Sequence, residues 1–212
     1  MVHNVAALVR LMVVTDDGLV RGRDLVQLAI AAERGGISSF QLRLKQKSAR
    51  EVSELTRALV AALRVPVLVN DRPDIALAAG AAGVHLGPDD LSVELARRIA
   101  PPGFIIGASV GSETEASGAG KADYWGIGPW RTTATKGDAG AALGPEGFGR
   151  LARLAGNRPC MAIGSIRPED VPAVLSRGGS GVAVASGILA ANDVEAATRQ
   201  YAAAGHRQRG VT

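Results

Sequence analysis

The residues able to do chemistry cluster at a few recurring places. Gln41-Leu42-Arg43-Leu44-Lys45 sets an amide and two cations at alternate positions, with leucines between them. In an extended strand, alternation sends Gln41, Arg43 and Lys45 to one side and Leu42 and Leu44 to the other. Two cations on one side are costly to hold without an anionic partner, so the stretch reads as an anion site or, failing that, as exposed loop cations. Asn70-Asp71-Arg72-Pro73-Asp74 and His85-Leu86-Gly87-Pro88-Asp89-Asp90 each follow or close an apolar run. Asn70 and Asp71 could merely cap the next helix. Asp71 and Asp90, one strand–helix unit apart, would also meet on the rim of a sheet, where a divalent cation relieves their repulsion. The chain has one cysteine, Cys160, and three scattered histidines, His3, His85 and His206. An oxygen-only ligand set points to Mg2+ rather than zinc, with waters and a substrate phosphate completing the octahedron.

Ser109 closes another apolar run. The segment Arg131-Thr132-Thr133-Ala134-Thr135-Lys136-Gly137-Asp138-Ala139-Gly140 is longer than an ordinary connection and offers hydroxyls and a lysine to phosphate oxygens. It lacks the glycine spacing of a P-loop. A segment of this kind, 131–143, is expected to move without ligand and to order on a diphosphate. Ile163-Gly164-Ser165-Ile166 and Val184-Ala185-Ser186-Gly187 carry small residues that let backbone amides approach a phosphate. His85, inside an apolar run, reads as a structural histidine, and Cys160 as a packed thiol. No Ser–His–Asp or Cys–His arrangement emerges from the spacing.

These residues need a frame, and the apolar pattern supplies one. Short apolar runs at 8–15, 38–44, 65–70, 83–87, 105–110, 124–129, 160–166 and 181–186 read as strands buried on both faces. Helical stretches at 22–34, 48–63, 72–79, 92–100, 113–121, 145–155, 168–176 and 191–203 alternate with them. Eight units in 212 residues average about 26 each, compact but sufficient for a single (β/α)8 TIM barrel spanning 1–212. An open doubly wound sheet is disfavoured because Thr15-Asp16-Asp17-Gly18, not a G-x-G-x-x-G loop, follows the first strand. Barrels place their sites at the carboxyl ends of the strands, and phosphate often binds after strands seven and eight.

Composition narrows the partners. At 47% hydrophobic and 21% charged residues, the chain is an ordinary globular one. No run approaches the ~18 apolar residues of a membrane span, and Arg10 interrupts the apolar amino terminus before a signal peptide forms. A cytoplasmic location is expected. Aromatics are 3%, and the net charge of +4 is spread thinly, which fits small anionic substrates and not a nucleic acid. Homo-oligomer formation is left open.

Taken in order, these strings resemble the thiamine phosphate synthase family. The resemblance runs from Val14-Thr15-Asp16 to Ala185-Ser186-Gly187-Ile188-Leu189. It rests on Gln41-Leu42-Arg43-x-Lys45, Asn70-Asp71-Arg72, Gly83-Val84-His85-Leu86-Gly87 with Asp90, Gly107-x-Ser109 and Thr133-x-Thr135-Lys136. It implies a transferase that joins an aminopyrimidine methyl diphosphate to a thiazole phosphate, releasing pyrophosphate through a pyrimidine-stabilised carbocation. By the same resemblance Gln41, Leu42, Arg43, Leu44, Lys45, Asn70, Ser109 and Lys136 bind the pyrimidine diphosphate. Arg43, Lys45, Ser109 and Lys136 are its catalytic groups, and Asp71 and Asp90 hold Mg2+. Thr133, Thr135, Gly164, Ser165, Ala185 and Ser186 receive the thiazole phosphate, with the Ser165 hydroxyl expected to contact it.

The chain departs from the family pattern at several places. Ser165 stands at the second glycine of a Gly-Gly-Ile pattern, Pro88 at a usual Gln, Thr132 at a frequent Pro and Gly111 at a usual His. Trp125 and Trp130 bracket a strand end that is usually less bulky. Two other readings follow. One is a thiazole tautomerase-like relative, whose proposed acid–base His would fall at Gly111. The other is a non-catalytic phosphometabolite-binding barrel.

Overall fold

The computed structural model describes residues 4–132 and 141–207. Its strands are β1 Leu11–Val14, β2 Ser39–Leu42, β3 Val67–Asn70, β4 Gly83–Leu86, β5 Ile105–Val110, β6 Tyr124–Ile127, β7 Cys160–Ile163 and β8 Gly181–Val184. Each pairs in parallel with the next, and β8 pairs with β1, so the sheet closes as the expected (β/α)8 barrel. Among the described residues the helices are α1 Val5–Leu8, α2 Asp17–Val20, α3 Leu25–Gly35, α4 Ala49–Ala62, α5 Pro73–Ala78, α6 Val93–Ile99, α7 Glu113–Gly118, α8 Gly144–Ala155, α9 Val171–Ser176, α10 Ser186–Leu189 and α11 Val194–Arg207.

Strand alternation divides the core in two. Met12, Val14, Leu68, Ile105, Tyr124, Met161 and Ala183 fill the barrel interior. Their neighbours, among them Val13, Val69, Ile106, Trp125 and Val182, face the helices in a second, larger cluster. This is why the strands read as continuous apolar runs: both faces are covered. Tyr124 fits inside only because β5 offers Gly107 beside it, where an added Cβ would sit 2.1 Å from the Tyr124 ring. Helix starts follow local chemistry. Ser48 and Glu51 form a reciprocal capping box at α4, and Asp24 accepts from the Val26 and Gln27 amides at α3.

The boundaries differ from the sequence expectation at three places. The first strand begins at Leu11, not Leu8, because Asn4 caps the short helix α1, whose Leu8 is buried beneath the barrel interior. The loops after β1 and β8 each contain an unexpected four-residue helix, α2 and α10. The seventh strand stops at Ile163 because Gly164 and Ser165 take φ of 105° and 50°, which no strand can continue. Among the described residues no helix is long and apolar enough to cross a membrane.

Candidate active site

The carboxyl ends of β2 to β5 converge on a cleft of about 60 Å3, lined by Arg43, Lys45, Asn70, Asp71, Asp90 and Ser109. The sequence separates these residues widely, and the barrel brings them together. The loop after β2 is tied to the loop after β1. The Thr15 hydroxyl accepts from the Arg43 amide at 2.7 Å and donates to the Arg43 carbonyl at 3.0 Å. The Asp17 carboxylate accepts from the amides of Lys45 and Gln46 at 2.8 and 3.2 Å. Backbone placement is therefore firm while the cationic heads are only loosely paired. The Arg43 guanidinium stands 3.5 Å from Asp16, and the Lys45 ammonium 3.5 Å from Asp71.

Asp71 adopts a left-handed backbone, φ 64°, and its amide donates to the His85 carbonyl at 2.8 Å. A non-glycine residue held there is strained, and such residues persist where their surroundings fix them. Asp90 curls back so that its Oδ2 accepts from the Gly87 amide at 2.6 Å. The two carboxyl groups face each other across the cleft. Burial, then Asp90's hydrogen bond and charge, push Asp71 up to about 6, while Lys45 and Arg43 pull it down. Two carboxylates facing each other in this way fit a hard divalent cation that keeps water and phosphate ligands. They are too few for an all-protein cage: among the described residues no group of three or more His, Cys, Asp or Glu side chains surrounds a metal position.

Ser109 forms the inner wall, and its hydroxyl lies 3.0 Å from His85 Nε2. His85 Nδ1 lies 3.0 Å from the Tyr124 hydroxyl, so a hydrogen-bonded chain runs from the barrel interior to the cleft. Tyr124 is fully buried, and that burial raises its pKa and keeps it a neutral phenol. His85 is thus the buried structural histidine expected from its setting, and it also supports Ser109. The sequence offered only a lone histidine in a strand, with no signal for its partners.

Some expected positions shift in meaning. Gln41 points inward but lies inside the barrel, 3% exposed, with its amide donating to the Met12 sulfur at 3.4 Å. Leu42 and Leu44 belong to the outer core against the helices, so their expected substrate contact cannot come from their side chains. Thr133, Thr135 and Lys136, with most of the 131–143 segment, lie outside the described residues.

On the far side of the mouth, the loops after β6 and β7 run together. The Trp130 amide donates to the Ile163 carbonyl at 2.7 Å and the Arg131 amide to the Gly164 carbonyl at 3.1 Å. The Ser165 hydroxyl donates to the Thr132 carbonyl at 3.1 Å. The hydroxyl expected to meet a phosphate is bonded to the neighbouring loop in this structure. Ala185 and Ser186 follow β8 at the start of α10. Gly111, at the position of a usual histidine, donates its amide to Glu115 and carries no side chain to move a proton. The tryptophans are core residues. Trp125 donates its indole N–H to the Ala119 carbonyl, and Trp130 packs edge-on against Phe148. Burial pushes the Cys160 thiol up to about 11, as suits a packing residue.

Comparison with known proteins agrees with this geometry. The family described as Thiamine monophosphate synthase matches residues 11–188. A Thiamine-phosphate synthase from Azorhizobium caulinodans is 46% identical over 194 residues, covering 89% of this chain and 91% of the relative. One from Methanospirillum hungatei is 43% identical over 197 residues, covering 91% and 95%. Among solved structures, a thiamine phosphate pyrophosphorylase from Pyrococcus furiosus superposes with a TM-score of 0.86 at 35% identity, covering 96% of this chain and 98% of that one. A barrel whose rim carries Arg43, Lys45, Asp71 and Asp90, matched along nearly all its length, belongs to the thiamine monophosphate synthase family.

Proposed function

We propose that the chain joins the aminopyrimidine methyl group of a diphosphate to the ring nitrogen of a thiazole phosphate, forming thiamine phosphate and releasing pyrophosphate. The observation that carries this reading is the meeting of Arg43 and Lys45 with the Asp71–Asp90 pair in one cleft. Arg43 and Lys45 are positioned by their backbones and weakly paired at their heads, so both can turn to the oxygens of a diphosphate. Asp71 and Asp90 would hold Mg2+. When bound, the ion would neutralise diphosphate charge and make pyrophosphate a better leaving group.

Ser109, held by His85, gives the cleft an oriented hydroxyl beside the reacting pyrimidine. Asn70 lines the same wall, and Gln41 closes the barrel beneath it. The family resemblance adds Lys136, Thr133 and Thr135 to the anion contacts. Gly164, Ser165, Ala185 and Ser186 would meet the thiazole phosphate through their backbones. Departure of pyrophosphate leaves a carbocation, and the thiazole nitrogen supplies the electron pair of the new C–N bond. No protein nucleophile takes part in that scheme, so the protein's work is positioning, water exclusion and stabilisation of charge. The setting proposed for this chemistry is the cytoplasm, with small-molecule partners and no nucleic acid or membrane.

The test is incubation with both phosphorylated substrates and Mg2+, following thiamine phosphate and pyrophosphate. Their equimolar appearance, abolished by chelator, supports the synthase. Tight binding of both substrates without product would favour a non-catalytic barrel, and thiazole isomerisation without coupling a tautomerase.

A further inference from the structure

Three residues that depart from the family pattern, Trp130, Thr132 and Ser165, meet in one place away from the carboxylate cleft. Arg131 joins them. Its guanidinium forks onto both carboxylate oxygens of Asp170, at 2.6 Å to Oδ1, and also donates to the Ser165 carbonyl at 3.1 Å. Asp170 is itself firmly held: its side chain is 9% exposed, and it accepts from the Arg167 amide at 2.8 Å. A bidentate arginine–carboxylate pair of this kind fixes direction as well as distance.

What the pair grips is a turn that serine disfavours. Gly164 and Ser165 both have left-handed φ, 105° and 50°. At Gly164 only glycine fits, since a Cβ would come within 2.8 Å of Pro129. At Ser165 the Cβ is present, and its strain must be balanced by contacts around it. Arg131 reaches the Ser165 carbonyl directly and, through Asp170, the amide of Arg167 two residues on.

We infer that Arg131 is a positioning residue for the thiazole phosphate: by clamping the Ser165 carbonyl and Asp170, it holds the Gly164–Ser165 turn in the left-handed geometry that presents its backbone to that phosphate. The inference rests on the phosphate placement proposed above. Arg131 itself touches no substrate. Glycine would take the same backbone unaided, so the Arg131–Asp170 clamp does for Ser165 what a second glycine does alone.

The consequence is a coupling between two positions. Steady-state kinetics on Arg131→Met should show KM for the thiazole phosphate raised about tenfold, the size of effect expected from releasing one strained residue, with KM for the pyrimidine diphosphate changed less than about twofold. In a Ser165→Gly background the same substitution should raise the thiazole phosphate KM by no more than about twofold. Equal losses in both backgrounds, or parallel losses for both substrates, would overturn the inference. Arg131→Lys, which keeps the charge and loses the fork, carries the same comparison if the methionine variant does not fold. Amide hydrogen exchange at 164–167 separates this claim from the functional reading, since it needs no turnover. Exchange should rise in Arg131→Met and return toward native in the double variant, and unchanged exchange would overturn the clamp. Absence of product from the native protein would instead overturn the synthase reading.

Discussion

At the amino-terminal end of the barrel, a cavity of about 490 Å3 is lined by Leu8, Leu11, Ile37, Pro66 and Tyr201, whereas the cleft at the carboxyl end measures only about 60 Å3 and is lined by Arg43, Lys45, Asp71 and Asp90. Two hydroxyls around the larger space, those of Ser38 and Tyr201, have partners within the fold. The Ser38 hydroxyl donates to the Leu8 carbonyl and accepts from the Leu11 amide, and the Tyr201 hydroxyl donates to the Ile166 carbonyl. The smaller space is where like charges face each other, an aspartate is strained and two cations stand 3.5 Å from their partners. Facing charges at the mouth suit the catalytic face of a TIM barrel, and a packed base its stabilising face.

Substitutions at the two ends should therefore part company. Asp90→Asn at the mouth is expected to lower turnover by about a hundredfold or more with the fold intact, since it removes a carboxylate proposed to hold the Mg2+ of the departing diphosphate. Arg10→Ala, lining the base cavity, should leave kcat/KM within about twofold. Comparable losses at the two ends, in a steady-state assay of thiamine phosphate, would break the distinction.

Next in size is Gly107→Ala, which tests the interior joining the two ends. The new Cβ would lie 2.1 Å from the Tyr124 ring, so the ring and the His85 it supports must shift. A loss of about 1–3 kcal/mol in denaturant unfolding is expected. Native stability would show that the interior is looser than described.

A smaller effect belongs to Asp71. Its folded pKa of about 6 lies above its ordinary value of 3.8, so its contribution to stability is whole below about pH 4 and is lost as pH rises through 6. Metal-free protein should lose about 1–2 kcal/mol between pH 5 and 7.5, allowing for screening at a partly exposed group. Mg2+ or Asp71→Asn should flatten that slope in thermal unfolding, and a flat slope in the metal-free native protein would contradict the facing carboxylates. Least affected should be Cys160: with its thiol raised to about 11, the native protein should resist alkylation at pH 8 and react only when unfolded.

Much of the frame was legible because the strands are buried on both faces and several helix starts carry a local marker such as Ser48 or Pro145. The Asp71–Asp90 meeting was also legible, since adjacent parallel strands must bring their ends together. Contacts set by tertiary packing were not. The chain from Tyr124 through His85 to Ser109 links residues 39 and 24 positions apart, and the Arg131–Asp170 pair spans 39. Nothing in the local spacing marks either. The Ser165 hydroxyl was expected at a phosphate because a hydroxyl suits one, and the spacing gave no sign of its left-handed backbone or of its bond to the Thr132 carbonyl.

In the function proposed for this barrel, the mouth carboxylates gather a divalent cation for a diphosphate held by Arg43 and Lys45. Isothermal titration of pyrophosphate into the native protein, Asp71→Asn and Asp90→Asn, with Mg2+ or with excess chelator, tests it directly. Binding by the native protein should be at least about tenfold tighter with Mg2+, and each variant should bind only as weakly as the chelated native protein. Equal affinity with and without Mg2+, or variants that keep the full Mg2+ effect, would contradict the account.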